Sequence, residues 1–402
     1  MSGGVLLTGG TGFLGMELLC RYLERGERHV YALVRAGGPA EANARLGGVI
    51  ENVCGNRDAH RDRWTAIAGD ISRPGIGLSP SMRQQLAERV DEVVHGAATV
   101  SFSLPLTQSR EVNVEGTKRV LEFAKGCEAE GGLRRFSYVS TAYVAGDHAG
   151  SFSEEQLDVG QSFRNGYERS KFEAEQLVRR TSARLPVQIF RPSIIVGERE
   201  SGWTASFNVL YPPLKAFQAG AYPALPARGS TPVDVVPVDF VADAVFELAD
   251  EPAESGEVHH LVAGERATTV GRLAELASSY FRRRRPRLVH PGVYRRLLHP
   301  MLLRTTRGRR RRALEKTEPL FPYFAMKVRF DNRRTRPRLR RAGLEVPPVD
   351  GYLDRLLDFA VESRWGREPL SRAEARRRLE RAETHGQGET QSATRGSGGS
   401  VQ

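Results

Sequence analysis

A tyrosine and a lysine four residues apart form the first pair of side chains in this sequence that could move a proton. In Tyr167-Glu168-Arg169-Ser170-Lys171 the phenol and the ammonium lie about one helical turn apart, so a helix places both on one face. A nearby cation favours the phenolate, and we expect it to lower the pKa of Tyr167 toward neutrality. Such a phenol can exchange a proton with a reacting oxygen. Thr141 follows an apolar run and is a candidate to hydrogen-bond the same oxygen.

A glycine-rich segment near residue 10 is a candidate nucleotide-binding loop. It follows the apolar run Val5–Leu7 and opens a helical pattern, which is the context that a dinucleotide fingerprint requires. Small residues let the backbone approach a pyrophosphate, and the helix N-terminus offers free N–H groups and partial positive charge. Two registers fit, Gly10-x-Gly12-x-x-Gly15 and Gly9-x-x-Gly12-x-x-Gly15. The candidate cofactor-binding residues of the loop are Gly9, Thr11, Gly12, Phe13, Leu14 and Gly15.

The residue that follows the second apolar run indicates which dinucleotide cofactor the chain would bind. An acid about 20 residues past the glycines would bind the 2′-hydroxyl of NAD, whereas an arginine suits the 2′-phosphate of NADP. Arg35 stands at this position, directly after Leu33 and Val34. Its planar guanidinium matches the geometry of a phosphate. The sequence therefore favours NADP(H) as the cofactor.

These side chains need a scaffold, and the first 270 residues alternate short apolar runs with helical patterns. The runs are β-branched or aromatic and almost continuously hydrophobic, as in parallel strands that are buried on both faces. The predicted strands contain Val5–Leu7, Val30–Val34, Trp64–Ala68, Val93–Val94, Phe136–Val139 and Val187–Phe190. This alternation predicts an α/β fold, a doubly wound parallel sheet of the Rossmann type with a smaller C-terminal substrate-binding region. In such a sheet Thr141 lies at the carboxyl edge, where ligands bind.

Changes in composition divide the chain into five segments. The predicted units are 1–200, mainly the NADP-binding domain; 201–280, a proline- and aromatic-rich substrate region with returning sheet elements; 281–341, an Arg-rich segment; 342–382, a helical segment; and 383–402, a disordered tail. Asp239 is predicted to cap a helix that continues to Leu248. A second, charged helix is predicted over Ser371–Arg381.

The net charge of +12 is concentrated in one part of the chain. Between Arg282 and Arg341 there are 22 basic residues against three acidic ones, so the remainder of the chain is net negative. The basic run could bind coenzyme A phosphates, an anionic membrane through residues 282–312, or simply form a solvated surface. Nucleic acid is not expected as a partner, because the run lacks aromatic stacking residues.

Cysteine usage and hydropathy point to a cytoplasmic protein, with peripheral membrane contact as an alternative. The three cysteines are widely spaced and form no CxxC pair, which argues against a disulfide framework and against a metal site. No apolar run reaches the length of about 18 residues that a spanning helix needs. The first residues also lack the basic and apolar regions of a signal peptide.

Four motifs in order resemble the extended short-chain dehydrogenase/reductases over roughly residues 3–270. They are the Gly9–Gly15 loop, Val139-Ser140-Thr141, Tyr167-x3-Lys171 and Arg191-Pro192-Ser193. The resemblance implies that Thr141, Tyr167 and Lys171 are the catalytic triad and that Lys171 also binds the nicotinamide ribose. It further implies that Pro192 lies beside the cofactor and that Asn113 supports a proton relay.

A finer resemblance is to the acyl-thioester-reducing branch, which contains fatty acyl-CoA reductases and the terminal reductase domains of carboxylic acid reductases and peptide synthetases. The residues that carry it lie in His95–Phe102, Tyr138–Tyr143, Gly166–Lys171 and Val233–Asp239. It implies NADPH-dependent reduction of an acyl thioester to an aldehyde, and the sequence leaves open whether a second reduction yields an alcohol. The acyl group is then carried by coenzyme A or by a phosphopantetheinyl protein. The further cofactor contacts that it implies are Arg35 and Arg45 at the 2′-phosphate, Asp70 and Ile71 at the adenine, and Ala97 and Ala98 beside the cofactor.

Two alternative functions share the same motifs. One is an extended-family dehydrogenase or epimerase that acts on a sterol or a nucleotide sugar. The other is a non-catalytic NADP-binding regulatory protein. The apolar and aromatic residues of 201–237 suit an acyl chain or a sterol better than a sugar nucleotide, and the intact Thr141, Tyr167 and Lys171 argue against a protein that only binds.

Overall fold

A central parallel sheet organises the first two-thirds of the chain. The computed structural model describes residues 3–221, 224–251 and 254–381. The strands in chain order are β1 Gly4–Thr8, β2 Val30–Val34, β3 Trp64–Ala68, β4 Val90–His95, β5 Arg135–Val139, β6 Gly150–Phe152, β7 Val187–Pro192, β8 Ile194–Val196, β9 Ala224–Pro226, β10 Pro232–Val233, β11 Val235–Pro237, β12 Glu257–Leu261, β13 Thr268–Thr269, β14 Arg287–Val289 and β15 Val328–Phe330. Seven of them form one sheet in the order β12-β7-β5-β4-β1-β2-β3, and every neighbouring pair in it is parallel. The sequence-based prediction of a doubly wound sheet is confirmed.

Helices cover both faces of this sheet and build the substrate region beyond it. In chain order they are α1 Phe13–Glu24, α2 Pro39–Cys54, α3 Pro80–Ala87, α4 Leu106–Arg110, α5 Gly116–Glu130, α6 Gly166–Thr181, α7 Tyr211–Gln218, α8 Val238–Asp250, α9 Val270–Tyr280, α10 Pro291–Val293, α11 His299–Thr305, α12 Gly308–Thr317, α13 Thr335–Arg341 and α14 Leu353–Glu362. Apolar side chains of α1, α2 and α8 fill one face of the sheet, and those of α5 and α6 fill the other. A third cluster underlies the substrate region. None of these described helices is long and apolar enough to cross a bilayer.

The Arg-rich segment folds back onto the dinucleotide-binding half of the chain. β15 pairs in parallel with β6, which lies in the first 200 residues. Glu154, just after β6, accepts hydrogen bonds from the backbone N–H groups of Arg334 and Thr335, each at 3.0 Å. Residues 281–341 therefore contribute to the same packed structure as the sheet, although they are compositionally distinct.

A buried ion cluster holds the last described helix against the first. Residues 372–381 are helical, in agreement with the predicted charged helix. Arg372 is fully buried, and its Nε lies 2.7 Å from Glu17 of α1 and 3.1 Å from Glu198. Because a buried guanidinium is tolerated only with paired carboxylates, this cluster fixes the position of the helix. The predicted tail 383–402 lies outside the described residues.

Local signals for helix ends were less accurate than the apolar pattern. Asp239 was expected to cap α8, and this prediction is wrong, because Pro237 occupies the cap position and Asp239 lies in the first turn. Its carboxylate instead accepts a hydrogen bond from the backbone N–H of Arg199 at 3.0 Å. The carboxylate is therefore used to fix the loop that leads to Trp203, a contact that local sequence does not reveal.

Candidate active site

The glycine loop forms a cradle whose shape requires the absence of a Cβ atom at particular glycines. Gly9 has a φ of +81°, and a Cβ at this position would lie 2.7 Å from the backbone nitrogen of Ala97. A Cβ at Gly15 would lie 1.9 Å from the carbonyl oxygen of Gly9, whereas one at Gly10 would meet only the Leu7 side chain at 3.3 Å. The steric requirement therefore falls on the Gly9-x-x-Gly12-x-x-Gly15 register. No side chain caps the N-terminus of α1, which leaves its first N–H groups free for a phosphate.

Two arginines lie together where the 2′-phosphate was expected. Arg35 follows β2, Arg45 projects from α2, and both are exposed. The Arg45 guanidinium donates a hydrogen bond to the backbone carbonyl of Arg35, which fixes the second cation beside the first. Asp70 follows β3, and hydrogen bonds from Ser72 together with the charge of Arg35 hold its pKa below the usual value, although burial raises it. These positions fit a cofactor that carries an additional phosphate.

A single cavity of about 460 Å³ joins the glycine loop to the tyrosine and lysine. Its lining includes the predicted residues Gly9, Thr11, Gly12, Phe13, Leu14, Gly15, Ala98, Thr141, Tyr167, Lys171 and Pro192. Arg35, Arg45, Asp70 and Ile71 lie outside this lining, at the ends of β2 and β3 and on α2, as expected for the adenosine half of a dinucleotide. Ala97 also lies outside it, and its N–H donates to the Thr8 hydroxyl at 3.3 Å.

Tyr167 is a protonated phenol at the wall of this cavity. Burial raises its pKa to about 12, and a hydrogen bond with Thr141 only partly offsets that effect. The expectation that Lys171 lowers this pKa is wrong, because burial determines the direction of the shift and the lysine ammonium is hydrogen-bonded to Tyr138 and Val139 instead. Tyr167 therefore holds its proton at neutral pH and can donate it.

Lys171 is directed toward the end of β5. Its Nζ donates hydrogen bonds to the Tyr138 hydroxyl at 2.7 Å and to the Val139 carbonyl at 2.8 Å. Burial lowers its pKa to about 7, although the charge of Glu175 acts in the opposite direction. Tyr138 was not identified from the sequence as a partner of Lys171, because the contact joins residues 33 positions apart on a strand and a helix.

Asn113 lies on a π turn, Glu111–Glu115, that joins α4 to α5. Its amide accepts a hydrogen bond from the Thr99 N–H at 2.8 Å and donates to the Ser170 hydroxyl at 2.9 Å. These bonds connect the loop after β4 to α6, beside Lys171. The role of Asn113 in a proton relay stays a prediction.

A buried salt bridge fixes the edge of the sheet on which the candidate catalytic residues lie. Arg191 of β7 and Glu175 of α6 are fully buried, and Nη2 of the arginine lies 2.6 Å from the carboxylate. Ser140, next to Thr141, donates its hydroxyl to the same carboxylate at 2.6 Å. Burial raises the pKa of Glu175, but the charge of Arg191 outweighs this and lowers the value to about 2. The ionised pair therefore locks β5, β7 and α6 together.

Tyr323 lies within the Arg-rich segment and also contacts the site, and it was not identified from the sequence. Its hydroxyl donates to Glu168 at 2.7 Å and accepts from Asn165, the cap of α6, also at 2.7 Å. Its ring stacks on Phe102 with the centroids 5.2 Å apart, and Phe102 in turn contacts Tyr167. No local motif marks Tyr323, although the apolar stretch Glu318–Ala325 stands out within a basic region.

A second cavity of about 260 Å³ adjoins the first and is mainly apolar. The two cavities share Tyr143, Ile194, Val209 and Tyr323. The second one is lined further by Leu214, Phe217, Leu273, Ala277, Phe324 and Met326, among others. An apolar group bound there would place its polar end near Tyr167.

The fold and the site place the chain in the extended short-chain dehydrogenase/reductase class. The parallel sheet, the glycine cradle and the Thr141, Tyr167 and Lys171 constellation support this class. The chain belongs to an NAD-binding family described as male sterility protein, whose model matches residues 7–245. The cradle and the family together indicate a nicotinamide dinucleotide, and the exposed Arg35 and Arg45 suit the 2′-phosphate of NADP(H).

Curated relatives match a little under two-thirds of the chain. The chain is 33% identical over 271 residues to glycine betaine reductase ATRR of Emericella nidulans, which covers 64% of this chain and 21% of that protein. It is 30% identical over 283 residues to fatty acyl-CoA reductase wat of Drosophila melanogaster, which covers 61% of this chain and 54% of that protein. The chain thus spans between about a fifth and about half of the length of these relatives.

A solved structure resembles nearly the whole chain. The crystal structure of the terminal R domain from the myxalamid PKS-NRPS biosynthetic pathway superposes with a TM-score of 0.78 at 26% identity. The match covers 92% of this chain and 94% of that one. The similarity therefore extends beyond the family match into the C-terminal third.

Proposed function

We propose that the protein uses NADPH to reduce an acyl thioester to an aldehyde and, by a second reduction, to an alcohol. The observation that carries the proposal is the continuity of two cavities. One contains the glycine cradle with Thr141, Tyr167 and Lys171, and the other is an apolar chamber that shares Tyr143 and Tyr323 with it. A cofactor and an acyl chain can thus meet at Tyr167.

The residues of the cradle suit the cofactor for steric and electrostatic reasons. The absence of Cβ atoms at Gly9 and Gly15 lets the backbone approach a pyrophosphate, and Arg35 and Arg45 offer two cations to a 2′-phosphate. When bound, NADPH supplies the hydride that reduces the carbonyl. The protein supplies the position of the reactants and the proton.

Tyr167 and Thr141 would act on the carbonyl oxygen of the thioester. Negative charge develops on that oxygen during reduction, and a preorganised hydroxyl stabilises it most strongly in a site that excludes water. Because burial keeps Tyr167 protonated, its hydroxyl is the proton donor, while Thr141 orients it. Lys171 would position the ribose of the cofactor. Loss of the thiol from the reduced carbon then releases the aldehyde.

The character of the chamber favours an acyl substrate over a nucleotide sugar. Most of its lining is apolar, as at Leu214, Phe217 and Phe324, and offers no partner for the hydroxyl groups of a sugar, although Ser230, Asp234, Glu265, Thr268, Thr269 and Arg329 also line it. A buried polar group without a partner is costly, so the larger apolar part suits an acyl chain better. A sterol also suits an apolar lining and is the competing substrate class. One relative is named a fatty acyl-CoA reductase and another a glycine betaine reductase. The first of these names gives an acyl-CoA as the substrate that is reduced. Either coenzyme A or a phosphopantetheinyl protein would present the thioester.

A screen with matched tyrosine variants tests this function. NADPH consumption is followed with acyl-CoAs, acyl-phosphopantetheine thioesters, sterols and UDP-sugars, and the products are identified by mass spectrometry. We expect turnover with a thioester, loss of at least about 100-fold in Tyr167→Phe, and unchanged NADPH affinity in that variant. Tyr31→Phe, on β2, is the control and should retain full activity. Turnover of only a sterol or a sugar nucleotide, or full activity of Tyr167→Phe, would refute the proposal.

We also propose that the protein contacts anionic membranes through one helical surface. Val293, Leu297 and Met301 recur every four residues along the continuous helical stretch of α10, the π turn Tyr294–Leu298 and α11. They are 46%, 67% and 50% exposed, which is unusual for large apolar side chains. Arg296 and Arg304 are exposed on the same stretch. An apolar stripe with basic neighbours is typical of helices that lie in the surface of an anionic bilayer.

Vesicle sedimentation decides whether this surface binds lipid. We expect the protein to sediment with phosphatidylglycerol vesicles more than with phosphatidylcholine vesicles, and Leu297→Asp to abolish the difference. Met82→Asp is the matched control, because Met82 is 44% exposed on α3 and lies outside this stretch. Equal sedimentation of the wild type and Leu297→Asp would reject membrane contact while leaving the reductase proposal intact.

A further inference from the structure

Two cysteines that are far apart in the sequence meet behind the cofactor cavity. Cys20 lies near the end of α1, and Cys54 is the last residue of α2. Their sulfur atoms and a carboxylate oxygen of Glu24 all lie within 4.8 Å of one another. Because the sequence showed only isolated cysteines, this proximity is a product of the fold.

The two thiols have different environments. Cys20 is fully buried, and the Nη1 of Arg372 donates to its sulfur at 3.1 Å. Cys54 is only partly buried. A hydrogen bond between them raises the pKa of Cys20 and lowers that of Cys54. Cys54 is thus the more accessible sulfur and the one that more readily becomes a thiolate, the combination that makes a cysteine reactive.

The neighbouring guanidinium argues against a metal ion at this position. Arg372 stays charged in any accessible pH range, and it points at the sulfur that a cation would need. A cation bound by Cys20, Glu24 and Cys54 would be repelled by it. The same positive charge stabilises a thiolate, so the cluster is better suited to thiol chemistry than to metal binding.

We propose that Cys54 and Cys20 form a reversible dithiol–disulfide site that responds to peroxides. The Cys54 thiolate attacks one oxygen of the peroxide and becomes a sulfenic acid, and the other oxygen leaves as water after taking up a proton from solvent. The Cys20 thiol then displaces the sulfenic oxygen as a second water, and the S–S bond forms. Two electrons pass from the two sulfurs to the peroxide, and an external dithiol returns them.

The position of the pair connects it to the cofactor site. Cys20 lies one helical turn after Met16, and both Met16 and Phe13 line the cofactor cavity. The pair also belongs to a small apolar cluster that includes Trp203 and Phe359. A bond between the ends of α1 and α2 would therefore be made where the dinucleotide-binding helices meet the C-terminal part of the chain.

Thiol mapping of the full chain tests the proposal. The protein is treated with a small excess of hydrogen peroxide, alkylated and mapped by mass spectrometry, with and without later reduction by dithiothreitol. We expect a Cys20–Cys54 disulfide peptide that disappears on reduction. Cys127→Ser should behave as the wild type, because Cys127 is buried separately in α5. In Cys20→Ser we expect Cys54 to be trapped by dimedone as a sulfenic acid.

Each contrary result overturns the idea. Cys20 and Cys54 that remain fully alkylated, at a peroxide dose that oxidises free glutathione, would show that the pair is inert. A disulfide that forms only between chains, or one that involves Cys127, would show that the two sulfurs do not react with each other. Retention of one equivalent of zinc after desalting, with loss of that zinc in Cys54→Ser, would assign the cluster to a metal instead.

Discussion

Alanine at position 15 should disrupt the glycine loop, because both registers require a glycine there, and alanine at position 10 should show which of the two registers holds. A Cβ there would lie 1.9 Å from the Gly9 carbonyl oxygen and 2.6 Å from its carbon, whereas ordinary contacts begin at 3.4 Å. The loop must therefore move by more than 1 Å, away from the position in which its N–H groups meet a pyrophosphate. Overpacking of this kind costs about 1–3 kcal/mol. If the loop bears that strain, NADPH affinity falls by about 5- to 150-fold.

Gly10→Ala is the matched control, because its Cβ would meet only the flexible Leu7 side chain at 3.3 Å and its φ is not positive. We expect its NADPH affinity to stay within about threefold of the wild type. Isothermal titration calorimetry measures both dissociation constants, and thermal unfolding confirms that both variants fold. The steric reasoning fails if Gly15→Ala binds NADPH normally, or if Gly10→Ala loses as much affinity as Gly15→Ala.

Three further predictions concern the groups that surround the site. Burial lowers the pKa of Lys171 from 10.5 to about 7. Between these pH values the unfolded chain binds more protons than the folded one, so the free energy of unfolding should rise with pH. Urea unfolding at pH 7 and pH 9 should show this rise in the wild type and a weaker one in Lys171→Met. Arg372→Leu removes one of two cationic partners from each of the buried carboxylates, leaving Glu17 with Arg21 and Glu198 with Arg376, and should lower the free energy of unfolding by up to about 3–5 kcal/mol, whereas the exposed Arg377→Leu should change it by less than about 0.5 kcal/mol. Phe217→Ala, at a residue that lines the apolar chamber and not the cofactor cavity, should raise the KM for the acyl thioester and leave the KM for NADPH unchanged in steady-state assays, and an equal rise in both would contradict the assignment of the chamber to the acyl chain.

The strands of the sheet could be predicted because each one is marked by a short, continuous stretch of the sequence. Each of the six predicted strands lies within an observed one, since continuous apolar runs bounded by polar residues have few other solutions in an α/β chain. The glycine loop and the tyrosine–lysine spacing are equally local, and they sufficed to place Gly9–Gly15, Tyr167 and Lys171 around one cavity.

The remainder of the site depends on contacts that no short motif records. Tyr323 meets Glu168 across 155 residues, and Arg191 reaches Glu175 from another element. The pKa of Tyr167 was predicted in the wrong direction because the i, i+4 spacing shows the neighbouring cation but not the degree of burial. The register of the glycine loop needed backbone angles, which spacing alone leaves open.

The late position of Tyr323 in the chain has a consequence for how the protein is made. A ribosome releases the nucleotide-binding half first, and domains generally fold as they emerge. Tyr323, the partner of Glu168 and Phe102, lies within the Arg-rich segment and is synthesised 155 residues after Glu168. A nascent chain can thus hold its nucleotide while the wall of the reaction chamber is still missing. Chemistry is expected to begin only once that wall has docked.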